Sequence, residues 1–454
     1  MRELDQALRI ARAVRDAGGR ALIVGGWVRD RCLGRDSKDV DLEVYGLPAA
    51  GVRALLERID RVNVVGEAFT VFKVGSIDVA LPRRESKTGR GHRGFEVTGD
   101  PDLPVEEAAR RRDFTINAIA WDPLTEEYLD PYGGQADLER KRLRAVDPRT
   151  FGDDSLRVLR AIQFAARFEL DVDEATRALC RRMVLDDLPA ERIWGELEKL
   201  LLQAARPSIG FRLAFELGVV QQLFSELAAL VDCPQEPEWH PEGDVWVHTL
   251  LVIDRARELI DDLERPQQIA VMLGAVCHDF GKPATTAWRD GRIRSFNHEE
   301  EGVAPAHAFL DRLNVHSVEG YDVRQQTIGL VANHLKPGMW HKVRDEVGDG
   351  AFRRLARKVD LELLARLAKA DCRGRPGPFD CSAMDWFLSR ARVLGVEHSP
   401  PAPLLLGRHV LALGLEPGPR IGRILSEVYE QQLDGAIATV EDAIEAAKQI
   451  IKDK

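Results

Sequence analysis

The spacing of apolar residues changes character once along this chain, near residue 150. Before it, the pattern is mixed. "ALIVGG" (from Ala21) is a short apolar run ending in glycines, and "VDLEVY" and "FKVGSIDVAL" alternate with a period of two, which predicts strands. "PAAGVRALLERI" between them has the spacing of a helix. "LPRRESKTGRGHRGFEV" (Leu81 to Val97) is polar, basic and glycine-containing, and is expected to be a mobile loop. After Asp153, "DDSLRVLRAIQFAARF", "EATRALCRRMV", "ERIWGELEKLLL" and "SIGFRLAFELGVVQQLF" carry apolar residues at i, i+3, i+4 and i+7, and strand signals nearly vanish. The Pro-rich "DCPQEPEWHPEGD" (Asp232 to Asp244) reads as a linker. Helical spacing resumes near Val245, pauses at "SPPAPLLLGRHV" (Ser399 to Val410), and ends in an amphipathic, charged pair of helices.

A chain of 454 residues exceeds one ordinary core, so two to four domains are expected. With 44% hydrophobic and 30% charged residues the composition is that of a soluble globular protein. The N-terminus lacks the apolar centre of a signal peptide, and no apolar run reaches the roughly 18 residues of a membrane span. A cytoplasmic protein without a membrane segment is expected. The six cysteines are scattered without a C-x-x-C pair, which predicts buried free thiols. A net charge of −10 argues weakly against nucleic acid, although "RKRLRAVDPR" (Arg140 to Arg149) and "RRLARK" (Arg353 to Lys358) are candidate basic patches.

Chemistry concentrates in two places. In "VGGWVRDRCLGRDSKDVDLEVYGL" (Val24 to Leu47), Asp39 and Asp41 fall on one face of a strand, and Asp78 in "SIDVAL" offers a third carboxylate from another strand. Such a set can hold two divalent cations about 3.5–4 Å apart, and Mg²⁺ suits an all-oxygen site. D-x-D alone is common on exposed strands. Gly25-Gly26 at the end of the preceding strand adds a turn whose amides can cradle a triphosphate, with Arg29 nearby.

This stretch resembles the signature of class II tRNA nucleotidyltransferases and bacterial poly(A) polymerases, in the polymerase β-like superfamily. Further segments match in order. "RRRDFTINAIAWD" resembles the R-R-D-F-T-x-N-A motif, which implies nucleotide contacts from Arg111, Arg112, Asp113 and Asn117. "LDPYGGQADL" resembles the element joining head to neck, and "DDSLRVLRAIQFAARF" the E-D-x-x-R-x-x-R helix. The resemblance implies that Asp154 and Arg157 read the incoming base, with Arg160 also at the nucleotide; Asp153 stands where the family has Glu.

The second place is the histidine-rich stretch: eight of eleven histidines lie between His240 and His341. His248, His278-Asp279 and Asp371 follow the H…HD…D order of metal-dependent HD phosphohydrolases. His298 and His334 resemble the additional histidines of such domains. His240, His307, His316 and His341 are assigned to the surface or to helix packing, and Lys282 to a phosphate contact or to solvent.

The expected fold is α+β: a small mixed α/β nucleotidyltransferase head (1–145), a helical neck and body (146–232), an all-α HD domain (240–398) and a helical tail (399–454). The resemblance implies addition of CCA from CTP and ATP to tRNA 3′ ends with Mg²⁺ in the head. It also implies hydrolysis of phosphate esters, such as 2′,3′-cyclic or 2′-phosphates, at an HD site holding a transition metal or Mg²⁺. Alternatives are CC-only, A-only or poly(A) addition, a hydrolase whose head only binds RNA, and a uridylyltransferase-like regulator.

Overall fold

The computed structural model describes residues 2–37, 39–65, 71–87 and 95–452. The chain divides into two compact units, Met1–Leu223 and Phe224–Lys454. Residues 224–232, grouped with the neck by sequence, fall in the second unit.

The first unit is built on strands β1 (Arg20–Val24), β2 (Asp41–Tyr45), β3 (Val62–Val65), β4 (Val71–Val74) and β5 (Ile77–Ala80), followed by β6 (Arg83–Lys87), β7 (Phe95–Gly99), β8 (Ala120–Trp121) and β9 (Tyr128–Leu129). Seven of them form one sheet in the order β3-β4-β5-β2-β1-β8-β9. Central β1 is apolar on both faces, so Ala21 to Val24 are all buried. It runs antiparallel to β2 with Val24 opposite Asp41, which sets the Gly25-Gly26 turn beside the aspartates. β2 and β5 are parallel, with Asp41 opposite Asp78. The N-terminal helix Arg2–Asp16 buries Ala7, Ile10, Ala11 and Val14 at helical spacing and packs on β1.

Leu81 to Val97, expected to be a mobile loop, instead contributes a two-stranded antiparallel hairpin, β6 with β7. "RRESK" contains no apolar residue, so the hydrophobic pattern gives no sign of a strand there. The remainder of that expectation, residues 88–94, lies outside the described residues.

Below the sheet, Phe114 meets Phe151 and Phe164 edge-on, each at 5.9 Å. The helix Leu156–Phe168 packs against Ala190–Gln203 and Ser208–Glu216. Asp137, fully buried, accepts from Thr115 Oγ1 (2.7 Å), Arg142 Nε (2.7 Å) and Arg144 Nε (3.0 Å). Gly134 allows this approach, since a Cβ there would lie 2.2 Å from the Thr115 carbonyl oxygen.

The second unit is a helical stack centred on Val245–Arg257, Arg265–Cys277, Val323–Val331 and Leu361–Gly374. The expected all-α HD domain holds one exception, a hairpin of Thr286–Arg289 with Arg292–Ser295. Its turn is Asp290-Gly291, both left-handed (φ 49° and 73°), an Asp-Gly signal between alternating residues. The stretch Asp232 to Asp244 is not a free linker: the Asp244 carboxylate caps the Val245–Arg257 helix and also accepts from the Asp232 amide. The expectation of free thiols fails for two of six. Cys372, at a helix end, and Cys381, after the following turn, form a disulfide with Cα atoms 5.9 Å apart, a proximity that only the folded turn creates. The helices Pro419–Leu433 and Val440–Lys452 close a small core of Leu405, Val410, Ile424, Val428, Ala443 and Ala447. No helix among the described residues is long and apolar enough to cross a membrane.

Asp137→Asn should destabilise the first unit by about 3 kcal/mol, the low end for breaking a buried ion pair because both arginines stay about a third exposed. Amide hydrogen exchange of residues 113–146 would report it, and unchanged protection there would contradict the assigned role.

Candidate active sites

The β1–β2 pairing and the helix Leu156–Phe168 frame a cleft of about 730 Å³ in the first unit. Of the residues expected to bind nucleotide or metal, Gly25, Gly26, Arg29, Asp39, Asp41, Arg112, Asp113, Asn117, Asp154, Arg157 and Arg160 line it. Gly25 is left-handed (φ 75°), and a Cβ there would sit 3.1 Å from Arg112 Nη1 and 4.0 Å from Asp41 Oδ2. Glycine thus keeps backbone, cation and carboxylate together. Burial pushes the Asp41 carboxyl above its ordinary range against the pull of Arg112, and the charges of Asp78 and Asp39 add to the rise. Carboxylates whose charge is disfavoured by burial and by one another fit a divalent cation.

Two expected residues are placed differently. Asp78 is beside Asp41 in register, but its carboxylate lies 3.5 Å from the Lys73 ammonium and it is not among the residues lining the cleft. Arg111 donates to Glu43 at 3.0 Å behind the cleft. Glu43 is the residue that sequence reasoning missed, although it continues the Asp39, Asp41 alternation on the same strand face. It is 4% exposed, accepts from Tyr45 Oη (2.8 Å) and faces Arg111 and Arg112. Burial works against its charge, but these two guanidinium groups prevail and hold its carboxyl low.

Asp113 and Asn117 act through arginines. Arg29 Nη1 donates to Asn117 Oδ1 (2.8 Å), Asn117 Nδ2 to Asp113 Oδ1 (3.0 Å), and Arg160 Nε to Asp113 Oδ2 (2.6 Å). The chain of bonds fixes Arg29 and Arg160 at the cleft wall. Arg167, about two turns beyond Arg160 on the same helix, also lines the cleft. Burial, then the nearby charges of Arg29 and Arg35, push its guanidinium down to about 10. Positive charge in such excess is a seat for a polyanion.

At the start of the helix, Arg157 donates to the carbonyl oxygens of Thr150 (2.8 Å) and Arg111 (2.7 Å). Asp154 accepts a two-pronged bond from Arg192 Nη1 (3.1 Å) and Nη2 (2.8 Å). Arg192 left no trace in the sequence pattern, because it comes from another helix, Ala190–Gln203. Burial raises the Asp154 carboxyl, but the Arg192 bonds outweigh it and hold it below the usual range. A lowered carboxyl stabilises the fold above its unfolded pKa and loses that contribution as pH falls through the folded value. Arg192→Ala should therefore shift the Asp154 titration upward in carboxylate NMR. It should also cost about 1 kcal/mol at pH 7, since the pair is about a quarter exposed, with no loss in strong acid. An unmoved titration would exclude the clamp.

In the second unit, a cavity of about 590 Å³ includes Asp279, His298, His334 and Asp371 in its lining. Ligand atoms of His248, His278 and Asp371 lie within 4.8 Å of one another, as do those of Asp279, His298 and His334. Carbonyl oxygens accept from Nδ1 of His278 (Ala275, 2.9 Å), His298 (Ser295, 2.8 Å) and His334 (Val331, 2.8 Å). Since a carbonyl only accepts, each Nδ1 carries the proton and each Nε2 turns a lone pair inward. His298 Nε2 and His334 Nε2 then face each other at 3.2 Å, and His278 Nε2 is buried without a hydrogen bond. Opposed lone pairs beside a buried carboxylate fit a cation. Burial and the neighbouring His298 and His278 push the His334 imidazole down to about 3, which leaves it neutral for ligation.

His248 is held from the supposed linker: Glu242 Oε1 is 2.6 Å from its Nδ1 and 2.9 Å from His240 Nδ1. His240 and His341, assigned to the surface or to packing, line the cavity, whereas His307 and His316 sit beside Arg324 away from it. Lys282 is engaged by Asp279 Oδ2 (2.8 Å) and Gln235 Oε1 (2.6 Å). Both units therefore carry donor sets that fit divalent cations.

Comparison with known proteins finds three segments in order along the chain. Residues 21–144 match the model of the poly A polymerase head domain, 169–230 that of the probable RNA- and SrmB-binding site of polymerase A, and 245–372 that of the HD domain. The multifunctional CCA protein of Xanthomonas campestris pv. campestris (strain B100) is 37% identical over 420 residues, covering 89% of this chain and 95% of that protein. The multifunctional CCA protein of Nitrosococcus oceani is 38% identical over 367 residues, covering 78% and 85%. The structure of the Bacillus stearothermophilus CCA-adding enzyme in complex with CTP shares the fold, with TM-score 0.66 at 19% identity over 100% of this chain and 99% of that one. The Thermotoga maritima CCA-adding enzyme complexed with tRNA_CCA gives 0.56 at 20% identity over 98% and 94%. The likeness to relatives spanning nearly the whole chain, together with the head, RNA-binding and HD segments in this order, establishes that the chain belongs to the multifunctional CCA protein family.

Proposed function

We propose that the first unit adds CCA to tRNA 3′ ends from CTP and ATP. The observation that carries this is one cleft holding Asp39 and Asp41 at one place and the clamped pair Asp154 and Arg157 at another, with an excess of arginine between. Asp39 and Asp41 would hold Mg²⁺, which lowers the pKa of an attacking hydroxyl and offsets charge on the leaving pyrophosphate. The tRNA 3′-hydroxyl attacks the α-phosphate, and the bond to the β-phosphate bridge breaks. Arg112, Arg160, Arg167 and the Gly25-Gly26 turn cradle the triphosphate.

Asp154 accepts from the exocyclic amine of C or A, and Arg157 donates to a ring acceptor. A carboxylate offers about four acceptor positions, so the Arg192 fork leaves Asp154 capacity for the base. U and G present an oxygen where the amine belongs, leaving buried polar groups unmatched. tRNA binds through backbone phosphates, so affinity falls with salt. A cytoplasmic location follows from tRNA as substrate.

The second unit hydrolyses phosphate esters at 2′,3′ positions. His248, His278, Asp279 and Asp371, with His298 and His334, would hold a divalent metal, of transition type or Mg²⁺, that polarises phosphate and activates water. The protein itself fixes every imidazole through Nδ1 and excludes competing water by burial.

Transcripts ending at the discriminator base, at C and at CC, incubated with Mg²⁺, CTP and ATP, should all finish as CCA, with the activity lost by at least about a thousandfold in Asp39→Ala. Stalling at CC or extension of the CC transcript alone would assign half the task; long A tails would indicate poly(A) addition. Asp279→Ala or chelation should abolish hydrolysis of 2′,3′-cyclic ends, and Asp279→Ala should still complete CCA. Hydrolysis that survives both would exclude the second site.

A further inference from the structure

We propose that Trp239 is a nucleobase platform of the second unit, so that this site selects a nucleoside-bearing phosphate rather than phosphate alone. The inference rests on the phosphohydrolase reading above and adds to it which part of the substrate is recognised and by which residue.

Trp239 lines the same cavity as the histidine–carboxylate set, yet remains 49% exposed. Met339 (55% exposed) and Phe379 share that lining. A site for phosphate and metal alone gains nothing from a half-exposed indole, and large aromatics left in water are costly. The turn carrying Trp239 is also fixed from several sides. Gln235 accepts from Lys282 (2.6 Å) and donates to the Gly243 carbonyl oxygen (3.4 Å). The Glu236 carboxylate accepts from the Ile293 amide (3.0 Å), and Glu238 pairs with Arg292 (2.9 Å). His240, the next residue, shares Glu242 with His248. One short segment therefore holds His248 through Glu242 and carries the indole into the same cavity. A half-exposed ring on a pinned turn, lining the same cavity as the histidine–carboxylate set, suits a nucleotide, whose base offers a π-face whatever its identity. The position is thus suited to any 3′-terminal base, on an RNA end or on a free nucleotide.

The test uses the full chain loaded with Mn²⁺ or Ni²⁺ and three substrates. They are uridine 2′,3′-cyclic phosphate, a short RNA ending in the same group, and methyl riboside 2,3-cyclic phosphate, which lacks a base. Uridine avoids the base preference of the first unit. Wild-type protein should favour the base-bearing esters in kcat/KM by about 5- to 100-fold. Trp239→Ala should bring base-bearing and base-less esters within about twofold of each other, mainly through KM, and Trp239→Phe should keep most of the preference. If only the RNA shows the preference, the base comes from a polynucleotide end; if both show it, free nucleotides are taken as well. A preference that survives Trp239→Ala, or equal losses on all three substrates, would overturn the platform. Calorimetry with uridine 2′-phosphate separates the two claims. Binding that Trp239→Ala abolishes supports the platform even where no ester is hydrolysed, an outcome that sinks the phosphohydrolase reading alone. Absence of both binding and hydrolysis overturns the platform as well.

Discussion

The N-terminal unit depends on a form of charge pairing: several arginines in and behind the cleft are held by buried acceptors. Glu43 holds Arg111 and faces Arg112, Asp113 holds Arg160, and Asn117 holds Arg29. An arginine bound on one edge of its planar fork still presents donors on the other. The buried acceptors are therefore a means of aiming positive charge at an open space without letting it collapse onto the cleft aspartates. Their desolvation is offset by charge-assisted hydrogen bonds, which is why Glu43 and Asp113 remain ionised against the effect of burial.

The C-terminal unit solves a related problem with imidazoles, of which His248 sits between the carboxylates of Glu242 and Asp371. Four histidines converge where cations would repel one another, so they serve as ligands only if their Nε2 atoms stay unprotonated. Backbone carbonyls at the ends of helices and turns fix Nδ1–H for three of them, and Glu242 anchors the fourth. Orientation here comes from secondary-structure ends, whose carbonyls lack intrahelical partners. The same short segment that supplies Glu242 carries Trp239 into the cavity, so the anchor of His248 and the proposed base platform lie together.

Much of this was readable in the sequence. Alternation in "VDLEVY", the glycines after "ALIV" and the arginine-bearing helix placed the first site, because strand and helix periods dictate which side chains share a face. Histidine spacing located the second. Glu43 went unread although it is the next member of the Asp39, Asp41 series, as did the Asp290-Gly291 turn, a hairpin signal within helical surroundings. Less was legible where local composition and tertiary role diverge. Proline and glycine between Asp232 and Asp244 signal irregular backbone, and the backbone is irregular, but irregular chain can be pinned as firmly as a helix.

The sequence by itself determined the order of elements, the faces on which carboxylates and histidines fall, and the family. These follow from local periods and residue chemistry. Tertiary structure alone decided which arginines are anchored, that Arg192 reaches Asp154 from another helix, that Asp78 turns to Lys73, that Glu242 rather than solvent meets His248, and that Cys372 meets Cys381. Each of these is a pairing across separate elements or across a folded turn, or a choice between neighbouring partners. Such pairings depend on distances in space that no spacing along the chain encodes.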